Sequence, residues 1–449
     1  MSIVAPTLLS LARAAVISLA TLVLLLASGR SIRSIRRFPR SIFFWPAMAA
    51  LLTPGFAVAF AHFDTVLKQD AFGRELTYCI FVWLRIAPLA LITVCLTPAG
   101  ISQEAMHCLR IGTALPCWRR KVWSLRAWGR GLWLGVALVL FLAFQEFEIA
   151  TAWNMRAWPV SLFDAQVGGL ALDKSLRLAV LPFAIQATVT ALLAALIRTG
   201  PHCETHDKFG DVAFEIPTIV THLGFGLLCL FPLLLVAVGL WFAIKANPAN
   251  AMALAPWREI LNTLILTSAA ILAAWLLAGW IERRRGWRWA FALPGLLGSL
   301  LCGLLLQTAM QVPPLHLLRD TIFPAALGLA LVLLPFALLL RFGIETTRDR
   351  AALHTARVSG GRLAAWQLDG WPRLCAVLML FCFGYGDFTI NSLLAPPHFT
   401  SASVRLLNLL HYGRSSALAT MFVLAFAVPL AAALLTMLIA RLYPRRRAS

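Results

Sequence analysis

Ionisable residues inside long apolar runs are the first places where this chain could do chemistry, because a charge at membrane depth is costly unless it faces a cavity or a partner. Arg85 stands within one such run, while Glu146, Glu148 and Asp387 stand near the ends of two others. The carboxylates could line the outer mouth of a path that favours cations, or could be interfacial residues in contact with water. Arg85 is harder to place in water and is expected to pair with an acidic residue or to face a central cavity. A second grouping is His202-Cys203-Glu204-Thr205-His206-Asp207. There His202, Cys203 and His206, with two carboxylates, offer ligands of the kind transition metals take. No further His or Cys completes a recognisable metal pattern, however, and a solvated loop is the commoner reading. The chain contains no G-x-x-x-x-G-K-[ST] phosphate loop, no H-E-x-x-H and no G-x-S-x-G. No catalytic residues, no enzyme activity and no cofactor of its own are therefore expected.

The elements that must position these residues follow from composition. Of 449 residues, 60% are hydrophobic and only 13% charged, whereas a soluble domain carries about 25% charged residues. A soluble fold could not cover that much apolar surface, so an all-α polytopic membrane protein is predicted. The net charge of +20 would suggest a nucleic-acid partner in a polar chain. Here Lys and Arg cluster between apolar runs, which is the pattern of membrane topology, and no nucleic acid is expected. The nine cysteines are scattered singly, without C-x-x-C spacing, and read as small core residues. No basic region precedes the first apolar run, so a retained helix is expected there rather than a cleaved leader.

Crossing a hydrocarbon core takes roughly 20 apolar residues. Runs of that length give about 11 transmembrane helices, at approximately 8–28, 42–62, 76–99, 131–150, 176–197, 218–244, 259–281, 289–310, 322–340, 374–394 and 416–440. Taken alternately from the first, the connecting segments hold 27 Lys and Arg on one side and ten on the other. The richer side is cytoplasmic by the positive-inside rule, with the N-terminus periplasmic and the C-terminus cytoplasmic.

The two ends of the chain carry matched landmarks. Pro46 and Gly55 match Pro294 and Gly303 at a constant offset of 248, which also pairs Gly112 with Gly360 and Trp118 with Trp366. At offsets of 241 to 243, Trp128 pairs with Trp371, Arg130 with Arg373, Glu146 with Asp387 and Phe147 with Phe388. The chain is thus expected to hold a first repeat at 1–200, a linker with one extra span at 201–257 and a second repeat at 258–449. Each repeat would have about five core helices in parallel orientation.

Within each half, the third and fourth spans are joined by a long basic, Trp-rich segment. The first contains Arg110-Ile111-Gly112 with Trp118, and the second contains His354 and Ala356-Arg357-Val358-Ser359-Gly360 with Trp366 and Pro372. These segments resemble the coupling loops of fused, double-length permeases of binding-protein-dependent ABC importers, in the iron(III), thiamine and putrescine branch. In that family the loop carries Glu-Ala-Ala, three residues, Gly and a later Leu-Pro, and its short helix docks on the ATPase. His354 replaces the family's Glu, and Trp371-Pro372 replaces its Leu-Pro. The acidic stretches 145–151 and 386–397 are similar to the end of the family's fourth core helix, where a Pro-Pro or aromatic loop follows.

The resemblance implies a type I ABC importer transmembrane fold in the bacterial inner membrane, bathed in membrane lipid. It implies two copies of an ATP-binding-cassette ATPase subunit that use the ATP, a periplasmic solute-binding protein, and import of a small solute, iron(III) favoured. Arg110, Gly112, Trp118, His354, Arg357, Gly360 and Trp366 would form the coupling loops. Two rivals remain. One is an ion-gradient-driven secondary transporter, and the other is a membrane-embedded enzyme acting on a lipid-linked substrate.

Overall fold

The computed structural model describes residues 3–27, 55, 58–59, 62–96, 132–198, 241, 256–283, 294–347, 350–411 and 415–442. Among them every regular element is helical and no strand occurs. Four described stretches are long and apolar enough to cross a membrane: Val4–Leu26, Leu132–Ala152, Trp257–Arg283 and Phe323–Phe342. The predicted spans at 42–62 and 218–244, and the predicted linker, lie almost wholly outside the described residues.

The chain divides into two units, Met1–Thr53 with His62–Leu235, and Pro54–Ala61 with Val236–Ser449. The first unit contains α1 (Val4–Ala27), the short α2 (Phe63–Leu67), α3 (Ala71–Leu96), α4 (132–144), α5 (Glu148–Ala152), α6 (Trp158–Val167) and α7 (Leu172–Arg198). In the second are α8 (Trp257–Arg283), α9 (Ser299–Ala309), α10 (Phe323–Thr347), α11 (Arg350–Gly386), α12 (Thr389–Leu394), α13 (Ala402–His411) and α14 (Ser415–Leu442).

The helices are apolar on all sides, the composition of a span rather than of a soluble surface helix. On α8 the exposed face carries Leu261, Ile265, Leu272, Leu276 and Trp280, while the buried face is built largely of smaller residues such as Thr263, Thr267, Ala270, Ala274 and Ala278. Small residues inward and large apolar ones outward let helix backbones approach closely where lipid covers the outside. Hydroxyls along the helices bond to their own backbone one turn back, as Thr21 to the Ile17 carbonyl at 2.8 Å and Thr93 to that of Leu89 at 2.7 Å. Such back-bonding gives these hydroxyls a partner in apolar surroundings.

Element order and packing recur between the units. α3 and α10 each contain an interior proline, Pro88 and Pro335, and so do α7 and α14, at Pro182 and Pro429. In the first unit α1 packs on α3 and on the ten-residue α6, which packs on α7; in the second, α8 packs on α10 and on the ten-residue α13, which packs on α14. Even the attachment of the ten-residue helix is the same. The Ser10 hydroxyl in α1 accepts the Trp158 N–H at 3.2 Å, and the Thr263 hydroxyl in α8 accepts the Ala402 N–H at 2.8 Å. Each fills an N-terminal donor that a helix start leaves open.

Candidate functional site

Two of the predicted spans are not continuous helices. The span read as 131–150 leaves helical geometry after residue 144 and resumes at Glu148; the span read as 374–394 is interrupted between Gly386 and Thr389. At each break one carboxylate closes the start of the next helix. Glu146 Oε1 accepts the Ile149 N–H at 3.0 Å, and Asp387 Oδ1 accepts the Ile390 N–H at 2.8 Å. The intervening Phe147 and Phe388 are buried, as are Ile149 and Ile390, which anchors both breaks in apolar packing. Carboxylate-Phe-x-Ile is therefore one local device built twice, and it accounts for the 241-residue offset in the sequence.

The surroundings of the two carboxylates differ. Arg85 in α3 donates from Nη1 to Glu146 Oε2 at 2.9 Å, and its Nη2 lies 3.2 Å from Glu148 Oε2. Arg85 follows Ala71, the first residue of α3, by a stretch that spans roughly 20 Å at the helical rise. The two carboxylates thus meet a cation deep along α3 and not at a water-exposed helix end. A buried triad of this kind is held only if its geometry compensates for lost hydration, and three charges within hydrogen-bond reach of one another meet that condition.

Among the described residues no cation pairs with Asp387. The stretch of α10 from Phe323 to Leu340 contains no basic residue, and the next, Arg341, is engaged by Glu282 at 3.0 Å. The Asp387 carboxylate receives the Ser299 hydroxyl on Oδ2 at 2.7 Å. Its backbone carbonyl accepts from Asn391 Nδ2 at 2.6 Å and from Ser403 Oγ at 3.0 Å. Ser299 had no signal in the sequence, because its place beside Asp387 depends on how α9 packs against α12.

The second long basic segment is a bent helix. α11 turns at Gly361, where φ is 70° and ψ is −163°, a conformation that glycine adopts freely and residues with a Cβ do not. Nothing lies within 4 Å of where a Cβ would be, so the requirement is conformational and not steric. The bend thus falls one residue after Gly360, the glycine that the resemblance places in the coupling loop. On the first arm His354, Arg357 and Val358 are exposed. Trp366 on the second arm is half-exposed and folds its indole over Gly370, where a Cβ would lie 2.5 Å from the ring. No protein-family model, no curated protein and no solved structure matches the chain.

Arg110, Gly112 and Trp118 of the first long segment, and the His202, Cys203 and His206 loop, lie outside the described residues. Within the first unit, Arg13 makes a two-point contact with Glu75 at 2.7 and 2.5 Å, donates to the Arg156 carbonyl at 2.9 Å and lies over the Tyr78 ring. That cluster joins α1 to α3. It was legible only as one arginine inside the first apolar run.

Proposed function

We propose that the chain is the permease subunit of an ATP-binding-cassette importer. In this reading it crosses the bacterial inner membrane about eleven times in the type I importer fold, and admits a small solute, iron(III) favoured, delivered by a periplasmic binding protein. Two ATPase subunits drive it through the long cytoplasmic segments. The observation that carries the reading is the elbow at Gly361, which presents His354, Arg357 and Val358 on one arm and Trp366 on the other. A forced reversal with exposed basic and apolar side chains is what a short docking helix needs to enter a groove on a motor protein. The two carboxylate-closed breaks support the translocation part, because interrupted helices place backbone and charge beside a pathway. In this reading Arg85, Glu146, Glu148 and Asp387 border that pathway.

The test is co-purification of the full chain with the ATPase encoded beside it, followed by ATP hydrolysis in lipid nanodiscs. Gly361→Val and Gly112→Val should each weaken association and hydrolysis. Undiminished association in both would sink the docking reading. The broken helices also favour a second reading, an ion-gradient-driven transporter. Solute uptake into vesicles without any ATPase, driven by a sodium or proton gradient, would establish that reading instead.

A further inference from the structure

Asp387 and Glu146 occupy the same place in a duplicated device, yet among the described residues only Glu146 has a guanidinium within reach. From the structure we infer that Asp387 belongs to a binding site for a small hard cation of the sodium class, formed with Ser299 and Asn391. The ion does for the second break what Arg85 does for the first.

Three observations lead there. The first is that both carboxylate oxygens of Asp387 already accept hydrogen bonds, from the Ser299 hydroxyl at 2.7 Å and from the Ile390 N–H at 2.8 Å. A proton on Oδ2 would require Ser299 to reverse its bond. The second is that Asn391, 2% exposed, is tied by its Nδ2 to the Asp387 carbonyl, while its Oδ1 is buried and has no hydrogen-bond partner. An orphan buried carbonyl oxygen is costly to leave unpartnered. Anchored through Nδ2 to Asp387 itself, the same side chain keeps an oxygen free to ligate a cation. The third is that Cys302 from α9, a thiol and not a cation, lies close enough to feel the Asp387 charge, and that α10 brings only apolar residues along Phe323–Leu340.

Carboxylate, amide and hydroxyl oxygens are the donor set for a hard ion, and a thiol such as Cys302 does not compete for it. A helix broken at this depth supplies unwound backbone for the same purpose. The site is independent of the docking reading: it would hold whether ATP or an ion gradient drives transport, and failure of either test leaves the other intact.

Full-length chain in nanodiscs is melted in NaCl, in KCl and in choline chloride at equal ionic strength and at several pH values. The proposal expects a melting temperature that rises and saturates with sodium alone, and radioactive sodium bound at one per chain. Asp387→Asn should abolish both. Ser299→Ala, which keeps the carboxylate, should raise the half-saturating sodium concentration about fivefold, the loss of one hydrogen-bonding group. Equal responses to sodium and choline, or a sodium response that survives in Asp387→Asn, would overturn the site. So would a melting temperature that follows pH and ignores sodium, which would assign the charge to a proton.

Discussion

The guanidinium of Arg85 bridges Glu146 and Glu148 across the break between α4 and α5, at 2.9 and 3.2 Å. Its removal should be among the most damaging single changes in the first unit. Arg85→Met leaves two buried carboxylates without a counter-charge, and breaking a buried ion pair in this way costs about 3–5 kcal/mol. Glu146→Gln keeps an oxygen for the Ile149 N–H and should cost less. Thermal unfolding of both variants in the same detergent checks the order; an Arg85→Met chain as stable as the parent would mean the triad is not formed.

The hydroxyls of Ser10 and Thr263 give a test of the duplication itself. Each receives the first N–H of a ten-residue helix, so Ser10→Ala and Thr263→Val should destabilise by similar amounts, about 1–2 kcal/mol each. The two sites lie in different units and share no partner, so their effects should add. Denaturant titration of the two single variants and the double variant would decide this, and a neutral result at one site alone would break the equivalence.

The all-helical, apolar character was legible beforehand because membrane helices announce themselves by run length. The pairing of Glu146 with Asp387 could also be read, since each stands before a Phe at an offset in line with the Trp128–Trp371 and Arg130–Arg373 matches. The helix breaks could not: a hydropathy window sees 131–150 as one run, and the interruption depends on a side-chain oxygen closing the next helix start. Nor did any pattern separate Gly360 from Gly361. Adjacent glycines have the same freedom, and only the path of the chain chooses which one turns.

The interior prolines argue the same point from the other side. Pro88 and Pro335, like Pro182 and Pro429, lie in helices that the run-length reading had already paired. Their shared offset of 247 was available in the sequence and sharpens the repeat more than the Trp and Gly matches do. Proline in a soluble helix interior is disruptive, but spans tolerate it because neighbouring groups re-satisfy the freed backbone. Replacing Pro88 or Pro335 by Ala should therefore be close to neutral for stability. If the bends matter for the transport cycle, the loss should appear in turnover and not in the melting temperature. A large fall in melting temperature for either variant would contradict this.

Glycine contacts give the sharpest steric prediction. A Cβ on Gly295 would lie 1.9 Å from the Leu331 carbonyl oxygen and 2.7 Å from the Pro335 ring, so Gly295→Ala collides with the backbone of α10. At Gly328 the nearest atoms are the Leu394 and Ile390 methyls, at 2.9 and 3.3 Å, and these can rotate away. Overpacking that only side chains must absorb costs about 1–3 kcal/mol, whereas a collision with main chain forces the helices apart. Gly295→Ala should thus lower the yield of folded, monodisperse protein sharply, while Gly328→Ala should fold and melt a few degrees lower. Size-exclusion profiles and melting curves of the two variants, prepared side by side, measure the difference. A well-folded Gly295→Ala chain would show that α10 does not pass this close to the segment leading into α9, and would also move Ser299 away from Asp387.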